Sequence, residues 1–391
     1  MAFDDNFYGD DTNEGSDDFH VKPEDFADIF VIPSDWTVST LRQEMKDIID
    51  LDPDFQRRSV WNIKSKSKFI ESLALGIPIP QILLAESQES RNNYLVLDGK
   101  QRLLTIKEFF DGVLSDGKRF ILEGLTDLPE MNDKDWQRIA DQHGRLARSI
   151  EGALIRTAII RGWRNDNVLY EIFHRLNAGS VRLSPMELRM SLIRGPFIKE
   201  VIRQSGELRP LQKMLNLAAP DKRMKDVEVA IRHMAFSDPS FTYRGNLKDF
   251  LDDYCKAHNR NFDRFDLDDK LEQLSNAIDV GLRAFPEKSF ARKYMSEASK
   301  FEPSFNRAVF DVLAGSLNDE GLRKQVEQNP DKFVVLFKQV CENSDFRKAV
   351  ETTTKSVEST RTRFQIWYNL LNSQYDTALT IPKISDARNK S

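Results

Sequence analysis

The spacing of apolar residues changes near Trp163, and the change divides the chain into two parts. Before it, folded structure is expected to begin near Phe30-Val31-Ile32, and short apolar runs at 82 to 85, 94 to 97 and 153 to 160 read as strands. Between them, Leu41, Met45, Ile48 and Ile49 after Thr37, and Phe69, Ile70, Leu73 and Ala74 within 65 to 75, fall at helical spacing. Gly76 and the rigid Ile77-Pro78-Ile79-Pro80 stop the second helix, so the strands at 82 and 94 are expected to pair as a hairpin. After Trp163 the helical period holds almost to the end, with helices expected at 224 to 236, 246 to 258, 266 to 284, 304 to 315, 331 to 342 and 356 to 373. The expected fold class is α+β, a small mixed-sheet domain at 25 to 165 followed by a mainly helical domain at 166 to 378. Residues 1 to 24, with the pairs Asp4-Asp5, Asp10-Asp11 and Asp17-Asp18, read as a disordered acidic tail, and 379 to 391 as a flexible C-terminal one.

Strand and helix meet at Asp98-Gly99-Lys100-Gln101-Arg102, between Tyr94-Leu95-Val96-Leu97 and Leu103-Leu104-Thr105-Ile106. A helix N-terminus at the end of a buried strand presents amides and a dipole that favour an anion, and Lys100 and Arg102 add positive charge. Asp98 suits a metal-bound water or a ribose hydroxyl. A plain strand-to-helix turn explains the same letters, with Gly99 supplying an unusual backbone angle, Asp98 capping the helix and both cations solvated. The spacing excludes a Walker A loop.

Other polar groups need an account. Gln56 and Arg57 sit between the apolar anchors Phe55 and Trp61. Lys64, Lys66 and Lys68 open a helix and suit either a polyanion or water, while Glu44 and Lys46 fall on a helix face and not on a nuclease strand. Ser184, Pro185 and Glu187 form a capping box, which leaves Arg175, Asn177 and Arg189 unexplained. His174 has no evident partner and reads as packed. Near the end, Lys355, Arg361 and Arg363 alternate with Phe364, Trp367 and Tyr368, the mixture of a docked amphipathic helix or of a nucleic-acid surface.

Composition narrows the classes. The 391 residues, 40% hydrophobic and 30% charged with a formal net charge of -5, allow two or three domains and exclude a chain coated in basic residues. Cys255 and Cys341 lack the spacing of a zinc site or a disulfide framework and are expected to be reduced and buried. With no signal pattern and no apolar run of membrane length, the protein is expected to be cytoplasmic.

Taken together, Phe55-Gln56-Arg57 with Trp61, Gly76-Ile77-Pro78-Ile79-Pro80, Asp98-Gly99-Lys100-Gln101-Arg102-Leu103, Phe173-His174-Arg175-Leu176-Asn177-Ala178-Gly179 and Glu187-Leu188-Arg189 occur in the order and spacing of one family. The chain resembles the N-terminal, S-subunit-type domain of the GmrSD modification-dependent restriction enzymes, whose core is similar to ParB and sulfiredoxin. That resemblance implies nucleoside triphosphate binding and hydrolysis at an Asp-Gly-Gln-Gln-Arg segment, which carries to Asp98, Gly99, Gln101 and Arg102, with Gln56 and Arg57 from the upstream loop. Lys100 stands where the family has Gln. By the same resemblance Asp98, Gln101 and Arg102 are the expected catalytic residues and Asp98 the expected Mg²⁺ ligand, while Arg57, Lys100 and Arg102 neutralise phosphates. Arg175 and Asn177 are expected to complete the pocket from the second domain. DNA, possibly modified, and a nuclease partner protein are the expected partners. The His-Asn-His nuclease domain common in the family is not evident, since His258-Asn259 is an isolated pair. Two rivals remain: a stand-alone metal-dependent nuclease and a non-catalytic DNA-binding module.

Overall fold

The computed structural model describes residues 21–49, 51, 61–88, 92–176, 185–352 and 354–385. They fall into two compact units, one within Phe19–Leu183 and the other within Ser184–Ser391.

The first unit contains β1 (Phe30–Thr37), α1 (Val38–Asp47), α2 (Ile63–Leu75), β2 (Ile82–Glu86), β3 (Tyr94–Asp98), α3 (Lys100–Asp111), α4 (Trp136–Gln142), α5 (Gly144–Gly152), β4 (Leu154–Arg161) and α6 (Asp166–Leu176). The strands form one mixed sheet in the order β1-β4-β2-β3. β2 and β3 pair antiparallel, as expected of the hairpin, while β2 runs parallel to β4 and β1 antiparallel to it. Ile82, Leu84, Ile155 and Ile159 from the sheet share a core with Leu41 of α1, Ile70 and Leu73 of α2, and Leu103, Ile106 and Phe109 of α3. α2 ends as the sequence predicts: Gly76 is left-handed at φ 71°, and the Ile77 amide donates to the Ser72 carbonyl over 3.0 Å. Helix α6 packs on β3 and belongs to this first unit, so Arg175 lies in the same unit as the turn at Asp98 and not in the second domain.

The second unit contains α7 (Pro185–Leu192), α8 (Pro196–Ser205), α9 (Arg209–Met214), α10 (Lys225–Ser237), α11 (Leu247–Arg260), α12 (Arg264–Ala284), the hairpin β5 (Tyr294–Met295) and β6 (Lys300–Phe301), α13 (Arg307–Ser316), α14 (Glu320–Gln328), α15 (Pro330–Glu342), α16 (Ser344–Glu351) and α17 (Val357–Gln374). α10 is buried on every side from Asp226 to Phe236, its charges included. Arg232 makes a two-pronged pair with Asp311 of α13, both contacts 2.6 Å, and Arg363 of α17 reaches the same carboxylate at 3.1 Å. Trp367 is fully buried, edge-on to Phe333 and Phe337. The basic and aromatic residues of α17 are thus a docked face, with Arg363 inside it. Residues 379–385, expected to open a flexible tail, are held at both ends: Asn372 exchanges two hydrogen bonds with the Leu379 backbone, and Tyr243 pairs with the Lys383 carbonyl and the Ser385 amide. Cys255 and Cys341 are free and buried.

Candidate functional site

The strand-to-helix turn is built from the sheet upward. β3 pairs with β2 through Leu84↔Val96 and then Leu83↔Asp98, so Leu97 is an extra residue on β3, a bulge that re-aims the strand end. Asp98 therefore ends the strand opposite Leu83, and Gly99 follows as the N-cap of α3 at φ 93°. A Cβ on Gly99 would stand 2.8 Å from Ile82 Cγ1, so crowding against the β2 floor and the left-handed backbone both demand glycine. Gly99, not Asp98, caps the helix, and glycine has no side chain with which to satisfy the first-turn amides.

Arg102 is spent on the framework. Its Nη1 donates to the carbonyls of Pro80 and of Gln81, the latter over 3.1 Å, and its Nη2 meets Asp98 Oδ2 at 2.7 Å. Only 9% exposed, it ties the end of the Ile-Pro-Ile-Pro segment, the end of β3 and the start of α3 together. Asp98 keeps the opposite character, with a side chain 46% exposed and Oδ1 without a partner among the described residues. Lys100 is half-buried, and Gln101 Oε1 accepts the Trp61 amide at 3.3 Å. Gln56 and Arg57, like Asn177, Gly179 and Ser184, lie outside the described residues, as does the His174 side chain.

The remaining candidates separate. Arg175 is a surface residue, its side chain 76% exposed and paired with Glu171 one helical turn away at 2.5 Å. Arg189 is fully buried in the other unit, where it meets Asp252 at 2.6 Å and Lys248 meets the second oxygen at 2.7 Å. Burial alone would raise the Asp252 pKa, but these two cations more than reverse that and hold the carboxyl below its ordinary range. Lys66 reaches neither a polyanion nor water: it is buried against Glu108 of α3. Asn259 bonds the Ile198 amide and the Arg194 carbonyl at the α7–α8 corner, while His258 faces Asp238 at 3.5 Å. Among the described residues no three His, Cys, Asp or Glu side chains gather as metal ligands. Sequence reasoning missed Pro80, Gln81, Ile82 and Leu97 as parts of the site, because they contribute backbone carbonyls, a floor and a bulge. Only the prolines signalled a fixed backbone there.

These features lie within a stretch that matches a known family. Residues 38–194 match the GmrSD restriction endonuclease N-terminal domain. This stretch is a GmrSD N-terminal domain. The match begins at the first residue of α1, contains the whole turn, and runs through α7 to Arg194. It ties this stretch to a family of restriction endonucleases, which act on DNA. No curated protein and no solved structure matches the chain. Among the described residues no helix is long and apolar enough to cross a membrane.

Proposed function

We propose that the β3–α3 turn of the GmrSD domain binds the phosphates of a nucleoside triphosphate with Mg²⁺, and that the chain hydrolyses it as the sensor component of a cytoplasmic defence system acting on foreign DNA with a nuclease partner. The observation that supports this most is the division of labour at the turn. Arg102 holds one Asp98 oxygen and leaves the other open beside a glycine-capped helix N-terminus. A carboxylate presented this way suits Mg²⁺, which is bound by one or two carboxylates together with substrate phosphates and water. Asp98 would hold the ion, which when bound would supply charge neutralisation for the phosphates.

The chain's own residues do the rest. The α3 amides and Lys100 take phosphate oxygens, Lys as a mobile point charge at the position where the family has Gln. Gln101 is anchored through its carbonyl oxygen to the Trp61 amide, which places its side chain beside the turn, where it is proposed to orient the attacking water. Arg102 acts through Asp98 and the Pro80 and Gln81 carbonyls, and so is a positioning residue. Gln56, Arg57 and Asn177 are proposed to close the pocket around the nucleotide, and Arg175 to join them only by leaving its exposed pair with Glu171.

Phosphate release tests the reading. Asp98→Asn keeps the size of the side chain and a hydrogen bond to Arg102, so the fold should persist. Mg²⁺-dependent hydrolysis is expected to fall by about a hundredfold or more, while metal-free nucleotide binding survives. Unchanged hydrolysis in Asp98→Asn would remove the turn from the chemistry.

A further inference from the structure

The helical unit contains a cavity of about 490 Å³ between α10, α13, α17 and the segment 378–383, a volume in the range of small-molecule sites. Phe236 of α10, with Ile381 and Pro382 of the segment, gives it apolar walls. The segment is tied at Leu379 by Asn372 and at Lys383 and Ser385 by Tyr243, so that wall is fixed in place.

A donor on this cavity has no protein partner. Tyr368 of α17 is 5% exposed, and its hydroxyl makes no hydrogen bond among the described residues. The hydroxyls of Tyr254 and Tyr375 are unpaired too, but they are sealed from solvent; that of Tyr368 is not sealed and opens on the cavity. Gly315 of α13 makes the room for it, since a Cβ there would stand 2.7 Å from the Tyr368 oxygen. Burial, and after it the charge of Asp311, pushes the phenol's pKa up, so the group remains a donor. An acceptor lies on the same cavity. Asp319 is half-buried; its Oδ1 caps α14 by accepting the Leu322 amide at 2.6 Å, and its Oδ2 has no partner among the described residues. The negative charges of Asp311 and Asp319 on the walls select against an anion in the interior, while Lys383 stands exposed.

We propose that this cavity binds an uncharged planar heterocycle of the nucleobase type, whose ring carbonyl accepts from the Tyr368 hydroxyl, whose ring N–H donates to Asp319, and whose face packs on Phe236. A lactam ring carries both groups and so satisfies the donor and the acceptor together, whereas a plain aromatic ring satisfies neither.

Calorimetry on the full chain without Mg²⁺ tests this, with inosine as the probe. Inosine is expected to bind, and 1-methylinosine, whose N1 carries no hydrogen, about tenfold more weakly. Tyr368→Phe removes only a hydroxyl without a protein partner, and Asp319→Asn keeps the cap of α14 while replacing the open oxygen by a donor. Each should weaken inosine binding by about tenfold or more. Tighter binding of inosine 5′-monophosphate than of inosine, lost in Tyr368→Phe, would identify a nucleotide as the ligand, with Lys383 on its phosphate, and the reverse order a nucleoside; either outcome supports a base site. No binding of inosine by the wild type, equal affinity for 1-methylinosine, or wild-type affinity in Tyr368→Phe would each overturn the proposal. Both substitutions lie in the helical unit and leave triphosphate binding at the Asp98 turn unchanged, so the two readings fail separately.

Discussion

Gly99 carries two constraints at once, a left-handed backbone and a hydrophobic floor formed by Ile82, whereas Gly76 at the end of α2 carries only the first. The two glycines therefore separate conformational cost from crowding. Gly76→Ala is expected to lower stability by about 1 kcal/mol, and Gly99→Ala by up to about 3 kcal/mol, since the added methyl must also displace Ile82. Denaturant unfolding of the two variants gives the order; equal losses would mean that the Ile82 contact does not constrain the turn. Arg102 teaches a different lesson. The sequence shows a cation beside a glycine and cannot show that its guanidinium is already committed to Pro80, Gln81 and Asp98. Removing it would take a partner from the Pro80 and Gln81 carbonyls and from Asp98, so an Arg102 substitution confounds folding with binding. Lys100 is the better probe.

At the scale of elements, period and punctuation were enough to place the hairpin β2–β3, the end of α2, the long strand β4 and most of the long helices within a few residues. They were not enough for α4, α5, α14, α16 and the β5–β6 hairpin, which are short and whose apolar positions are few. Nor does periodicity say which charges are buried. Along α10, Asp226 and Arg232 have the spacing of a solvated face, yet both are interior because Arg232 finds Asp311 seventy-nine residues later. Long-range pairing of this kind leaves no local signal. His233 of α10 belongs to the same class: burial pushes its pKa down to about 4, against a hydrogen bond that its Nε2 donates to Asn318 Oδ1 and that favours the charged form. Below pH 6.5 the unfolded chain takes up a proton that the folded one refuses, so stability falls with pH from about 6.5 to about 4, by on the order of 3 kcal/mol in total. Denaturant titrations at pH 7 and pH 5 on wild type and His233→Gln check this. The variant should lose less stability across that interval, and an identical loss in both would show that His233 is not held neutral by the fold.

For the molecule as a whole, two kinds of order coexist. The first unit concentrates its unusual backbone at one place, where a bulge, a left-handed glycine, a proline-stiffened segment and a helix N-terminus meet around Asp98. The helical unit spreads buried ion pairs through its core, where Arg189, Arg232, Arg307 and Arg363 each meet a carboxylate. The GmrSD match covers the first kind of order, which is why the central claim rests there. Its most direct test is calorimetric titration of a non-hydrolysable nucleoside triphosphate, with Mg²⁺, into wild type, Lys100→Ala and Lys107→Ala. Lys100 and Lys107 lie on the same helix α3, but Lys107 sits near its far end in an exposed pair with Asp111. The account requires Lys100→Ala to weaken binding by about tenfold or more and Lys107→Ala to leave it unchanged. Equal affinities in all three proteins, or no binding by the wild type, would contradict a phosphate site at the Asp98 turn.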